Sequence, residues 1–267
     1  MFLDRLERAE NQLMPEGFPG SIRVLGELRA LDFSSPVTFF IGENGSGKST
    51  LLETIGIGVG AVAVGSADLS RDSTLAAQRS FAKCFRFVRR HAPKTKMFFR
   101  AEDAFGFTKR VIDSMAELTA DADYFRQKFA EGSYAQKLAV GAVEGQRGAL
   151  AGRYGKNPDG FSHGETFLSV LKSRIVPNGL YLLDEPETPL SPARVLALMA
   201  IIADGVKAGS QFIIATHSPV LMALPDAEIL EFAPGGINKI AWEETEHVRL
   251  TRSFLNDPQN YLRRLEE

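Results

Sequence analysis

Gly42-Glu43-Asn44-Gly45-Ser46-Gly47-Lys48-Ser49 spells G-x-x-x-x-G-K-[ST]. The apolar run Val37-Thr38-Phe39-Phe40-Ile41 before it reads as a buried strand, and Thr50-Leu51-Leu52-Glu53-Thr54-Ile55 after it opens a helix. That strand–loop–helix context is what the motif requires. Glycines allow a tight loop whose N–H groups converge on phosphate oxygens, at a helix N-terminus already favourable to negative charge. Gly42, Asn44, Gly45, Ser46, Gly47 and Thr50 are therefore candidate contacts to a nucleoside triphosphate. Lys48 adds a positive charge to the phosphates, and the Ser49 hydroxyl suits Mg²⁺ ligation.

The back half of the chain supplies partners for this loop. Gly179-Leu180-Tyr181-Leu182-Leu183 reads as an apolar strand ending in Asp184-Glu185-Pro186. Two adjacent carboxylates at the end of a buried strand are costly unless they meet a cation. Asp184 is expected to hold Mg²⁺, and Glu185 to orient and deprotonate an attacking water. A further strand, Gln211-Phe212-Ile213-Ile214-Ala215, leads into Thr216-His217-Ser218-Pro219 and brings His217 to the same edge of a parallel sheet.

Composition sets the limits around these motifs. The chain has 267 residues, 44% of them hydrophobic, enough for a sizeable core. A net charge of −2 and a pI near 6.2 exclude any global attraction to nucleic acid or anionic membrane. Cys84 is alone, so no intrachain disulfide forms, and four histidines are scattered without metal-ligand spacing. The amino terminus is charged and amphipathic, unlike a signal peptide. The longest uncharged run, residues 54–67, has 14 residues, short of the roughly 20 needed to span a bilayer. A cytoplasmic location without membrane insertion is expected.

Ile22 to Leu25 and Leu28 to Phe33 look like two short strands ahead of the phosphate loop. In the middle, Met115, Leu118, Ala122, Phe125 and Phe129 recur at steps of three and four, one apolar helical face of about two heptads. A compact helical subdomain is expected there, closed by the turn cluster Gly152 to Gly160. Ser162-His163-Gly164-Glu165 precedes a further helical pattern, and Ser162 with Glu165 makes a capping box.

These residues, in this order, resemble the nucleotide-binding domains of the ATP-binding cassette superfamily. The resemblance covers about Gly17 to Leu224 and rests on the phosphate loop, Ser162-His163-Gly164-Glu165, Asp184-Glu185-Pro186, Leu190-Ser191 and His217. The wording Asp-Glu-Pro-Glu and Ala-Thr-His-Ser-Pro is similar to that of the soluble, transporter-free branch of predicted AAA-type or recombination-type ATPases. The resemblance implies an α/β P-loop NTPase fold: a mostly parallel sheet flanked by helices, one domain over 1–267, with a helical subdomain inserted at about 104–175. It implies ATP and Mg²⁺, and ATP hydrolysis by Glu185, His217 and Lys48. It also implies an ATP-dependent head-to-tail homodimer in which Ser162 and Gly164 cap the γ-phosphate held by the facing subunit, so that hydrolysis resets an unidentified partner protein.

The sequence departs from the family pattern in places. His163 and Glu165 stand where Ser-Gly-Gly-Gln is usual, and Ser191 stands where many relatives carry aspartate. For the Mg²⁺-sensing glutamine, Gln78 lies too near the loop, and Glu102 after Lys96-Met97-Phe98-Phe99-Arg100 is the better candidate. Phe18, in Gly17-Phe18-Pro19-Gly20, is the candidate for stacking on adenine. The basic stretch Arg86 to Arg100, interleaved with Phe85, Phe87, Phe98 and Phe99, could contact nucleic acid, but core-facing phenylalanines with solvated charges are the favoured reading. A transporter subunit and a chromosome-maintenance ATPase remain alternatives. Against the latter, 58 residues between Glu102 and Phe161 are too few for a long coiled-coil arm. The tail from Glu246 looks like a docking appendage of two short amphipathic pieces.

Overall fold

The computed structural model describes residues 1–10, 12–64, 69, 72–154 and 163–263. The chain begins with β1 (Leu3–Arg8), a one-turn helix α1 (Arg23–Gly26), β2 (Ala30–Asp32), β3 (Val37–Gly42) and α2 (Lys48–Val59). There follow β4 (Val62–Ala63), α3 (Ala76–Ala82), β5 (Phe85–Arg89), β6 (Thr95–Arg100) and the helices α4 (Ala101–Lys128), α5 (Tyr134–Tyr154) and α6 (His163–Arg174). The last part contains β7 (Gly179–Asp184), α7 (Pro192–Lys207), β8 (Gln211–Ala215), β9 (Glu228–Ala233), β10 (Gly236–Lys239), α8 (Glu246–Asn256) and α9 (Pro258–Leu262).

Seven strands form a sheet in the order β10-β9-β3-β8-β7-β6-β4, parallel throughout except for β10. β3 is buried at every position, as a central parallel strand covered on both faces must be. Alternate side chains enter opposite layers. Phe40, Leu180, Leu182 and Ile213 pack with Leu51, Leu52 and Ile55 of α2, while Phe39, Ile41, Tyr181, Leu183 and Ile214 pack with Phe167 and Leu171 of α6 and Leu198 and Ile202 of α7. Each such side chain contributes about 1.5–3 kcal/mol relative to exposure, so Phe40→Ala would cost about 3–5 kcal/mol. The register pairs Asp184 with both Ala215 and Arg100, and Ala215 with Phe40. The loops after β3, β7 and β8 therefore open at one sheet edge.

A second sheet, β2-β1-β5, is antiparallel and is stitched to the first by the fully buried Gln211. Its amide accepts from the N–H of Phe2 and Leu3 and donates to the Leu3 carbonyl. Phe85 is buried in β5, and Phe98 and Phe99 in β6. On the outer side, Arg86 and Arg90 are ion-paired with Glu7 and Asp4.

Two local expectations are corrected. Ile22 to Leu25 is not a strand: Gly26 N–H bonds back to the Ile22 carbonyl, and the adjacent Val24 and Leu25 are both buried, where a strand would alternate. Packing of Leu25 beneath the phosphate loop overrides its β-like composition. The middle section is also longer than its apolar face indicates. α4 has 28 residues, about 42 Å, and forms with α5 an antiparallel hairpin across a link that turns at Gly132. Val111, Met115 and Ala122 of α4 are buried, whereas Tyr124, Tyr134 and Leu138 are exposed. The Arg126–Glu144 ion pair ties the two helices together. The turn cluster after Tyr154 lies outside the described residues.

Candidate nucleotide site

The phosphate loop leaves β3 at Gly42, whose φ of 136° and surroundings admit no side chain: a Cβ would sit 2.6 Å from the Phe232 carbonyl oxygen of β9. Gly47 caps α2 in the left-handed region with no side-chain cap. The first-turn N–H groups of α2 are thus left without a capping side chain, the arrangement that suits an anion. Gly42, Glu43, Asn44, Gly45 and Ser46 line a cleft of about 1110 Å³. The Ser46 hydroxyl is buried with no protein partner among the described residues. Lys48 is 5% exposed, and its Nζ donates to the carbonyls of Gly42 at 2.7 Å and Glu43 at 2.8 Å. Burial draws this ammonium below the ordinary lysine range, against the opposing pull of Glu185 and Asp184. Thr50 follows on α2 and lines neither this cleft nor its neighbour.

At the second residue of α2, Ser49 Oγ donates to Asp184 Oδ1 at 2.9 Å. The pair opens on a second hollow of about 430 Å³, lined also by Glu53, Gln78, Arg100 and Glu185. Burial pushes the Asp184 carboxyl up to about 6, the Ser49 hydrogen bond opposes this, and the charges of Glu53 and Glu185 push it further. Arg100 and Glu53 form a half-buried ion pair beside it. A hard cation would relieve the crowding of carboxylates, and a hydroxyl, a carboxylate and water are the donors Mg²⁺ takes alongside phosphate oxygens. The described residues contain no cluster of three or more His, Cys, Asp or Glu side chains able to hold a metal.

Glu185 stands just past β7 with φ of 47°, a left-handed conformation unusual for this residue, fixed by its N–H on the Ala215 carbonyl at 2.9 Å. Its carboxylate lies 3.8 Å from His217 Nε2, and both residues line the phosphate-loop cleft. His217 Nε2 is buried without a hydrogen-bond partner among the described residues. Burial lowers the His217 pKa, and Lys48 and His247 add to this against the pull of Glu185.

The remaining candidates fall elsewhere. Phe18 is half exposed and does not line the cleft; Ile22, Arg23 and Val24 form that wall instead. Glu102 is on the first turn of α4, and its side chain lies outside the described ones, as does the whole of Ser162. Gly164 is buried at the start of α6, where a Cβ would approach the Pro189 carbonyl oxygen to 2.8 Å, and it lines neither cleft. Glu165 is paired with Arg194 of α7 at 2.8 Å.

Three residues at the site were given no role by sequence reasoning. Glu187, the second glutamate of Asp-Glu-Pro-Glu, reaches across to the loop of His217. Gln78, set aside as too near the loop, lines the second hollow, with Nε2 on Glu53 and a buried Oε1 without a partner among the described residues. His247 of α8 touches the ring of His217. Glu187 alone carried a signal, as a carboxylate three residues after a strand end.

The fold and this edge define a P-loop nucleotide-binding protein. A family model described as an AAA domain matches residues 20–130, and another, described as an AAA domain, putative AbiEii toxin, type IV toxin–antitoxin system, matches 165–223. A putative ABC transporter ATP-binding protein of Pyrococcus furiosus is 27% identical, over 84% of this chain and 85% of that protein. Among solved structures, an Smc head bound to the C-terminal winged-helix domain of ScpA is 15% identical at a TM-score of 0.49, covering 90% of this chain and 98% of that one. The cbiO1 protein of Clostridium perfringens, part of the cbiONQ ABC transporter complex, is 15% identical at a TM-score of 0.45, covering 97% of each. The AAA-type family matches and the likeness to an ABC transporter ATP-binding protein support an ATP-binding protein of the ATP-binding cassette type.

Proposed function

We propose that the protein hydrolyses ATP in composite sites of a head-to-tail homodimer and uses the cycle to change the conformation of a partner protein. The observation that carries this reading is the division of the site. The phosphate loop, Glu185 and His217 line one cleft, with Ser49 and Asp184 in the adjoining hollow, whereas Gly164 lines neither. A clamp formed by Ser162 and Gly164 that does not line its own chain's cleft would be supplied by a second copy.

Each group has a role that follows from its chemistry. The loop N–H groups and Lys48 neutralise the β- and γ-phosphate oxygens, and the same contacts strengthen as charge builds on the transferred phosphoryl group. Ser49 and Asp184 would hold Mg²⁺, which supplies further neutralisation of phosphate charge. Glu185 orients the attacking water and accepts its proton. His217 directs Nε2 at the γ-phosphate. Ser162 and Gly164 of the second copy close the far side.

The likeness to a putative ABC transporter ATP-binding protein of Pyrococcus furiosus favours a second reading, the ATP-binding subunit of a transporter. No helix among the described residues is long and apolar enough to cross a membrane. Nucleic-acid binding is weakened by the pairing of Arg86 and Arg90 with Glu7 and Asp4.

The test is Glu185→Gln. It should keep ATP binding, stop hydrolysis and accumulate a dimer in Mg-ATP, read by light scattering with and without nucleotide. A variant that stays monomeric with ATP bound overturns the composite site.

A further inference from the structure

His217 Nδ1 and His247 Nε2 are 3.1 Å apart, with ring centroids at 5.3 Å and planes inclined by 54°. Such a contact holds one proton between two nitrogens, so one ring donates and the other accepts. The other nitrogen of His217, Nε2, faces Glu185 at 3.8 Å, inside the cleft and without a hydrogen-bond partner among the described residues. A proton on Nε2 is favoured by that carboxylate. Nδ1 is then the bare acceptor, and His247 Nε2–H must be the donor.

α8 is built to deliver that donor. Thr245 caps the helix through the Val248 N–H, and Val248 is buried beneath it. Ahead of the cap, Trp242 Nε1 donates to the Pro219 carbonyl at 2.9 Å, two residues beyond His217. The helix is thus anchored on the same loop that carries the histidine, and Glu246, His247 and Leu250 form a wall of the cleft.

We propose that His247 is a positioning residue for the ATPase site: its Nε2–H, donated to His217 Nδ1, holds His217 as the Nε2–H tautomer, the form that can donate a hydrogen bond to a γ-phosphate oxygen. The inference rests on the assignment of His217 to the γ-phosphate. Burial and Lys48 hold His217 below the ordinary imidazole range, so near neutral pH its ring carries a single proton and the tautomer decides whether it donates. The groups facing His217 are Glu185 and Lys48 at the cleft, Glu187 at its backbone, and His247 on α8. The same logic governs metal-bound histidines, where the hydrogen bond at one ring nitrogen fixes what the other can do. α8 therefore belongs to the active site, and a partner that shifts α8 would change the tautomer at the γ-phosphate.

Nitrogen-15 NMR of the imidazoles in the full chain, paired with steady-state ATPase kinetics, tests this. The wild type should show the His217 proton on Nε2. His247→Ala should release it to a tautomer mixture and lower kcat by about ten-fold with KM for ATP within about two-fold, the low end of what such orienting partners are worth. His247→Gln, whose amide can donate to Nδ1, should restore both. A wild-type proton on Nδ1, or an unchanged His217 tautomer in His247→Ala, overturns the inference. Failure of the underlying assignment reads differently: His217→Ala would then leave turnover intact, whatever the NMR shows.

Discussion

Glu187 Oε1 accepts the backbone N–H of His217 at 2.9 Å, and it also takes the Thr216 hydroxyl at 2.6 Å and the Ser218 N–H at 3.2 Å. One carboxylate after β7 thereby fixes the loop after β8. Burial raises its pKa, and the hydrogen bonds from Thr216 and His217 oppose the shift.

Glu187→Ala would leave those donors without their acceptor. Buried unsatisfied donors cost about 1–3 kcal/mol each, partly recovered by water, so a loss of roughly 2–4 kcal/mol is expected in denaturant unfolding. ATP turnover should fall with it while nucleotide binding survives, because the phosphate loop is untouched. A variant with wild-type turnover would show that the His217 loop holds its place without Glu187.

Asp184 gives a pH dependence of opposite sign to that of an ordinary ion-paired carboxylate. Its pKa is raised from 3.8 to about 6, so the neutral form is favoured by the fold. This stabilisation is complete below pH 3.8 and is lost as pH rises through about 6. Asp184→Asn should therefore stabilise the protein at pH 8 in chelator, by up to about 3 kcal/mol, and flatten the dependence between these values. It should also abolish Mg²⁺-dependent hydrolysis. Unfolding curves at pH 5 and pH 8 check the first expectation; a variant less stable than wild type at pH 8 contradicts it.

Lys48 is held on the Gly42 and Glu43 carbonyls, so its loss removes two charge-assisted bonds as well as a phosphate contact. Lys48→Ala should weaken ATP binding by roughly 10–100-fold, since each such bond is worth about 1.5–3 kcal/mol. Calorimetric titration with ATP measures this directly. An unchanged affinity would remove Lys48 from the phosphate site.

Gly164→Ala separates packing from clamping. The added Cβ would lie 2.8 Å from the Pro189 carbonyl oxygen within one chain. A stability loss of about 1–3 kcal/mol is expected in the monomer, whatever happens to the dimer. If thermal unfolding is unchanged and only ATP-dependent dimerisation fails, Gly164 acts solely between subunits.

The features legible in the sequence are those that one short segment encodes. The phosphate loop is eight contiguous residues whose glycines have a local steric reason, and each strand feeding the site announces itself as an apolar run. Asp184, Glu185 and His217 could be placed at one sheet edge because parallel strands in sequence end together. Ile22 to Leu25 misled because its burial is set by the phosphate loop packed above it, which no local pattern records. The long hairpin of α4 and α5 was underestimated because only part of α4 carries an apolar face.

By itself, then, the sequence determined that this chain holds a triphosphate at the carboxyl edge of a parallel sheet, because backbone geometry and strand burial are local properties. Only the tertiary structure decided what surrounds the reacting groups. Glu187 and His247 each lie 30 residues from His217 along the chain. They meet it through hydrogen bonds between side chains and loops on separate elements, and such contacts exist only once the chain has closed on itself.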